Sequence, residues 1–440
     1  MTKPTAVVVS FNPAFQVRAG NSEYLASFTR SLAGAGFDAN ILILEEIPAY
    51  MARIAAIGEY TGLFSQFQIF RAVKVGRYFY SLNPRHWLNM FLRVSRLNTA
   101  AGRSTTTRLG FDCYVPHAKA LSWARRKVAL AKPTFVVANY FNSAPIFDQL
   151  PPGVATAILT HDILALRALS VDAAGVSADF DRGLIAQEAA ALNKADVCFA
   201  IKTEEEETIR EIAPDTQAVS MPMAVEIGEA DLAGPRDPVC IFVGSDHPPN
   251  KQGLRWLLTE AWPRVLEKRP DARLHVVGSC AYSIDVPLPA NVDVLGFVDN
   301  LADAYARAAV SLTPVLYGSG VKIKLVEALA AGLPSVATTV GAEGVPLASP
   351  GILRVADGAE IFACAVLETL ADCNTPAHRE AVRDFARLHY DRDTVGIRVI
   401  DRLIAEGLFQ KATSDKRAPR TYRPVPIQSV GSHVAVASAS

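Results

Sequence analysis

Residues 313–344 read TPVLYGSGVKIKLVEALAAGLPSVATTVGAEG. An apolar run ends at Thr313, a Gly-Ser-Gly turn follows at 318–320, and a helical pattern runs from Val321 to a stop at Gly332 before a second short strand at 335–338. Strand, turn, helix and strand in that order form the repeating unit of a parallel sheet. The turn offers backbone N–H groups at a helix N-terminus, where partial positive charge favours a phosphate. Lys322 and Lys324 fall in the first turn of that helix, an unfavourable place for cations unless an anion is bound. Glu327 stands about two turns in, where a carboxylate can accept hydrogen bonds from the adjacent hydroxyls of a ribose or sugar ring. An exposed helix glutamate pairing with a lysine fits the same residue.

The alternation of short β-branched runs with helical stretches occurs twice in the 440 residues, which fits two α/β domains. In the first half, strands are expected at 6–10, 40–44, 135–138, 155–159 and 197–201, with helices at 22–35 and 181–193. The second half repeats the pattern with strands at 239–244, 273–277, 292–295 and 310–313 and helices at 253–268, 301–307 and 321–331. The Gly- and Pro-containing segment 221–238 reads as a hinge, which divides the chain into domains 1–229 and 230–409. A helical segment over 380–408 is expected to close the second domain, and 410–440 has the composition of a disordered tail.

Lys plus Arg and Asp plus Glu each total 44, so the whole chain has no field that would draw it onto nucleic acid. The six cysteines are scattered, without Cys-x-x-Cys spacing, as expected of reduced thiols in a cytosolic protein. The apolar run at 6–9 is too short for a signal peptide, and no window reaches a membrane span. One stretch departs from neutrality: residues 66–127 contain twelve cations and a single acid, Asp112, interleaved with Phe70, Tyr78, Phe79, Tyr80, Trp87, Phe91 and Trp123. Basic helices carrying aromatics suit an anionic membrane surface; a solvated basic face whose aromatics enter the core suits the same residues. No nucleic-acid-binding motif accompanies the charge, so nucleic acid is not an expected partner.

The segment containing Glu327, Gly332 and Pro334 resembles the Glu-Ala-x-Ala-x-Gly-x-Pro donor signature of GT-B glycosyltransferases, specifically glycosyltransferase family 4. A second segment, FVGSDHPPNKQGLRWLL at 242–258, looks like the opening strand and loop of that family's C-terminal domain. The resemblance is close over 239–344 and loose over most of 1–408. It implies two Rossmann-like domains facing across a cleft, the N-terminal one for the acceptor and the C-terminal one for a nucleotide sugar. It also implies transfer of the sugar with retention, no metal and no other cofactor. By the same resemblance Gly244, Gly318, Ser319 and Gly320 lie against the donor, Lys251 and Lys324 stabilise the departing diphosphate, and Glu327 holds the ribose. Backbone around Phe297 and Val298 is where the base is expected. Ser319 stands where many members carry an earlier glutamate eight residues before Glu327, which leaves the donor sugar open.

In the first half, Arg18-Ala19-Gly20-Asn21 resembles the family's glycine loop, with Gly20 and Asn21 near donor phosphate, although a plain strand-to-helix connection reads the same. His161, followed by Asp162 after the strand at 155–159, resembles the histidine that meets the donor sugar; a structural His-Asp cluster is the alternative. The Asp179-Phe180-Asp181 spacing is taken as helix-start acids rather than a metal site. Thr203 and Glu206 read as a capping box before a solvated run of glutamates. The family's members often act on glycans or lipid-linked acceptors in bacterial surface polysaccharide synthesis, which implies a cytoplasmic protein, peripheral to the inner membrane through 66–127. Two rivals share the architecture. A nucleotide-sugar epimerase would need acid/base carboxylates beyond Glu327, and a non-catalytic scaffold is favoured by Ser319 but opposed by Lys251, Lys324, Glu327 and His161.

Overall fold

The computed structural model describes residues 3–11, 20–49, 51–55, 58–94, 116–173, 183–228, 237–283, 285–289, 291–318, 320–372, 375–392 and 394–408. The chain divides into two compact units: Met1–Ala165, Ala178–Met221 and Gly396–Ser440 in the first, Leu166–Ser177 and Pro222–Val395 in the second. Both are parallel α/β sheets, as the repeated pattern predicts.

In the first unit, strands β1 (Thr5–Ser10), β2 (Asp38–Ile43), β3 (Arg53–Ala55), β4 (Gln66–Ile69), β5 (Ala72–Val75), β6 (Tyr78–Ser81), β7 (Phe135–Asn139), β8 (Ala155–Leu159), β9 (Val197–Ala200) and β10 (Gln217–Ser220) form two sheets. The larger runs β10-β9-β8-β7-β1-β2-β4. Its central strands are continuous apolar runs, because helices cover both faces of such a sheet: every residue of β7 and β8 is buried. The smaller, β3-β6-β5, is antiparallel. It corrects the expectation of basic helices over 66–127: residues 66–81 are mostly strand, and helix is confined, among the described residues, to Pro84–Val94 and Ala118–Ala131. A two-residue turn at Gly76 and Arg77, with Gly76 at φ 59°, closes β5 onto β6 and excludes helix there.

In the second unit, β11 (Val239–Val243), β12 (Arg273–Val277), β13 (Val292–Gly296), β14 (Val310–Thr313), β15 (Ser335–Ala337) and β16 (Leu353–Val355) form one sheet in the order β13-β12-β11-β14-β15-β16. Its core gathers Phe242, Leu254, Leu257, Trp262, Val276, Leu312, Phe362 and Val366. Burying each such side chain contributes about 1.5–3 kcal/mol. The helix expected at 253–268 is helix Pro248–Trp256, a π turn at Leu257–Ala261 and helix Trp262–Lys268. Pro263 has no N–H to give to the preceding turn, and Trp262 N–H bonds instead to Leu257 O, five residues back.

Two other expectations are revised. The segment over 380–408 is two helices, Pro376–Tyr390 and Val395–Ala405; the second packs on the first unit, where Gly396 lies against Ser31 and Gly34 against Ile397. The capping box does not form: Lys202 is the N-cap, without a side-chain capping bond, and Glu206 accepts from Ser220 N–H at 2.6 Å. Glu205, expected in solvent, is fully buried and accepts from Ile201 N–H at 3.3 Å. The Asp179–Asp181 motif, Ser319 and the tail lie outside the described residues.

Candidate active site

In the second sheet the chain leaves β11 toward β12 and β13, then crosses back to β14 on the other side of β11. The crevice beyond the carboxyl ends of β11 and β14 is therefore a topological switch point, where open α/β sheets bind ligands. Gly244 follows β11 and the Gly-rich turn follows β14, so both predicted donor segments arrive there.

Small residues let these loops approach. A Cβ on Gly244 would lie 2.9 Å from Cys280 Sγ, and Cys280 N–H bonds Gly244 O at 3.2 Å. A Cβ on Gly253 would overlap the Pro314 carbonyl, so helix Pro248–Trp256 rests directly on the backbone after β14. Gly318 has φ 121° and Gly320 φ 78°, conformations that favour glycine, and a Cβ on Gly318 would lie 3.8 Å from Pro249.

The helix expected from Val321 begins at Ile323, with Lys322 as its N-cap. The two first-turn lysines thereby part. Lys322 Nζ donates to Gly320 O at 2.5 Å and sits 3.4 Å from Glu343 Oε2, tying down the glycine turn. Lys324 Nζ donates to Asn250 Oδ1 at 2.6 Å and lies 5.0 Å from the centroid of the Phe242 ring. Burial pulls the Lys324 ammonium down to about 8, the neighbouring Cys280 opposing and Lys322 reinforcing the fall. The half-buried ammonium is thus held by an amide oxygen, without a carboxylate partner among the described residues.

Glu327 is half-buried on the same helix. Tyr305 joins it to the backbone of Lys324: the single phenol proton is shared between Lys324 O, 3.1 Å away, and Glu327, and burial first, then the charge of Glu327, raises the Tyr305 pKa well above its ordinary value. Lys251 lies more openly, 3.1 Å from Asp246 Oδ1, and lines a hollow with Pro248, Cys280, Asp285 and Val286 in which Lys324 and Glu327 take no part. Phe297 follows β13, two strands from β11; it is 70% exposed, and its N–H bonds the Tyr282 hydroxyl at 3.3 Å. Val298 packs into the core. Asn250, Tyr305 and Glu343 were not anticipated. Asn250 adjoins Lys251 in sequence, whereas nothing around Tyr305 in sequence marks it.

The first unit has its own switch point, between β1 and β7. His161 follows β8 nearby, its Nε2 2.7 Å from Asn139 Oδ1, and Asn139 donates in turn to Ser10 Oγ at 3.1 Å. An amide oxygen only accepts, so Nε2 carries the proton in this arrangement. The imidazole stacks on Tyr140 with centroids 3.9 Å apart, and Tyr24 meets it edge-on at 5.2 Å. Burial lowers the His161 pKa to about 3 against the pull of Asp162, keeping the ring neutral. Tyr140 holds φ 65°, a strained value for a side-chain-bearing residue. Gly20 opens the helix Gly20–Gly34, and Asn21 Oδ1 accepts from Ser22 N–H at 2.9 Å.

Residues 237–372 match the family model described as Glycosyl transferases group 1. This part of the second unit thus resembles a group 1 glycosyltransferase domain. Sucrose-phosphate synthase from Thermosynechococcus elongatus shares the fold with TM-score 0.62 at 16% identity, covering 92% of this chain and 99% of that one. A TarM variant of S. aureus in complex with fondaparinux, α-GlcNAc-glycerol and UDP gives 0.63 at 11% identity, covering 93% and 100%. Anabaena HepE in complex with UDP gives 0.60 at 12%, covering 91% and 100%. The architecture is therefore the two-domain α/β GT-B fold of glycosyltransferases. A Klebsiella pneumoniae uncharacterized 44.6 kDa protein in the cps region is 28% identical over 134 residues, 28% of this chain and 34% of that one. The chain thus aligns with about a third of the length of that curated relative.

Proposed function

We propose that the protein is a retaining glycosyltransferase of family 4 that moves a sugar from a nucleoside-diphosphate donor to a glycan or lipid-linked acceptor of a bacterial surface polysaccharide. One observation carries this reading: at the switch point of the second sheet, one helix presents the Lys324 ammonium, held by Asn250 and not by a carboxylate among the described residues, and the Glu327 carboxylate, held by the Tyr305 hydroxyl that also bonds the Lys324 backbone carbonyl. A diphosphate would take Lys324 and the N–H groups of the glycine turn, and the ribose hydroxyls would take Glu327. Preorganised positive charge at the departing diphosphate stabilises the transition state. Lys251 serves the same charge from the helix Pro248–Trp256, and by family resemblance neutral His161 serves the reacting sugar. The cps-region relative supports the polysaccharide setting, and the cytoplasmic face of the inner membrane is where such an acceptor would be met.

The UDP in the HepE and TarM structures makes uridine diphosphate the first ligand to try. A thermal-shift series with UDP, GDP, ADP and CMP, at a hundred times the dissociation constant, should show one nucleotide adding about 2.7 kcal/mol of stability. Glu327→Ala should weaken that nucleotide about ten- to a hundredfold, the cost of hydrogen bonds to a charged group. No shift with any nucleotide in the wild type would overturn the donor site; a shift without transfer to any acceptor would favour the scaffold.

A further inference from the structure

From residue 66 to residue 111 the chain contains no Asp or Glu. The structure gathers part of that stretch on a single face. In β3-β6-β5, Arg53 pairs with Tyr80 and Ala55 with Tyr78 on one side, while Val73 pairs with Tyr80 and Val75 with Tyr78 on the other. Side chains directly opposite each other share a face, and alternate residues along a strand return to it. Arg53, Tyr78, Tyr80, Val73 and Val75 therefore stand on one face, and Ile54, Phe79 and Ser81, all buried, on the other.

This outer face is apolar and cationic together. Val73 is 45% and Val75 59% exposed. The guanidiniums of Arg53 and Arg77 lie 4.7 Å and 5.1 Å from the centroid of the Tyr78 ring, and among the described residues neither forms an ion pair. The helix Pro84–Val94 extends it: Trp87 stacks on Tyr80 at 6.2 Å with rings 4° apart, and Leu82 and Leu88 are more than half exposed. Its other side is fastened down. Trp87 Nε1 donates to Ser81 O at 2.8 Å, His86 Nδ1 lies 2.9 Å from Ser81 Oγ, and Asn83 donates to Glu46 at 3.1 Å. The exposed aromatics are thus held in place, not left on a loose segment.

We propose that this face docks on an anionic phospholipid surface. Tyr and Trp prefer the headgroup level, the valines and leucines reach the acyl boundary, and Arg53, Arg77 and Arg85 meet the lipid phosphates. Charge complementarity favours an anionic bilayer over a second copy of the chain, since like faces would oppose cation to cation. The proposal rests on the membrane-linked acceptor named above and narrows the expected surface from 66–127 to the outer face of one small sheet and its helix.

The test is flotation with phosphatidylcholine vesicles, with and without about 30 mol% phosphatidylglycerol, using wild type, the double variant Arg53→Ala with Arg77→Ala, and Trp87→Phe. Wild type should float with the anionic vesicles at least tenfold better than with neutral ones, and its tryptophan emission should shift to the blue. The double variant should bind about thirtyfold more weakly, equivalent to about 1 kcal/mol per cation. Trp87→Phe should keep its binding and lose most of the blue shift. Equal flotation on both vesicles, undiminished binding by the double variant, or a concentration-dependent dimer abolished by that variant would each overturn the proposal. Melting temperature controls for folding, and the UDP shift is read on the same samples: its absence alongside intact flotation would count against the donor site and not against this surface.

Discussion

At the scale of single residues, Lys324 couples donor binding to pH. Its folded pKa lies near 8, below the ordinary lysine value, because burial disfavours the charged form. A bound diphosphate favours the ammonium and pulls the pKa back up, so binding takes up a proton when the free protein is already neutral there. Affinity for the nucleoside diphosphate should be flat below about pH 7 and fall above pH 8, at the steepest about tenfold per pH unit. Lys324→Arg keeps its charge across this range and should flatten the profile, whatever it does to affinity at neutral pH. Calorimetry in buffers of different ionisation enthalpy reads the proton directly; an uptake at pH 8.5 no larger than at pH 6.5 would show that Lys324 does not meet the phosphates. The sequence exposed Lys324 and Lys322 as a pair out of place at a helix start. It did not separate them, because their roles turn on Asn250 and Glu343, 74 and 21 residues distant.

Among the elements, the loops at the carboxyl edge of the second sheet depend on backbone contact. Helix Pro248–Trp256 reaches the chain after β14 only because Gly253 has no side chain, a Cβ there overlapping the Pro314 carbonyl. Backbone cannot swing aside as a flexible side chain would, so Gly253→Ala should cost about 1–3 kcal/mol of stability, the usual range for overpacking. It should also weaken the nucleotide, since Asn250 and Lys251 ride on that helix. Denaturant unfolding with and without UDP measures both, and an unchanged midpoint would show that helix and loop are not in register as described. Strands β11 to β15 were legible because central buried parallel strands are unbroken apolar runs, as in VCIFV at β11, whereas the three-residue edge strand β16, with an arginine at its centre, was not anticipated. The antiparallel sheet was not: β5 is exposed along most of its length and alternates a lysine with valines, a pattern that basic helices match equally well. Glu205 misled for a related reason, since its burial answers the Ile201 N–H, a need visible only in three dimensions.

At the scale of the molecule, the chain's last described helix belongs with its beginning. Val395–Ala405 follows the second unit in sequence, yet its Gly396 and Ile397 lie against Ser31 and Gly34 of the helix Gly20–Gly34. Ile400 and Leu403 are each only 1% exposed. Just past the helix, Glu406 accepts from Gln217 Nε2 at 3.1 Å, reaching the edge strand β10 of the first sheet. Helical periodicity over 380–408 revealed a helix but not its host, because an apolar stripe states that it must be covered and not by what. Ending the chain at residue 394 removes three buried aliphatic side chains, Ile400, Leu403 and Leu408, worth about 1.5–3 kcal/mol each, and uncovers the first helix. Hydrogen exchange should then quicken across Gly20–Gly34 and β10 while the helix Ile323–Ala330 keeps its protection, and the UDP shift should survive. Equal loss of protection in both units would mean that they unfold as one, and the last helix would then be a clasp on the whole chain instead of a part of the first unit.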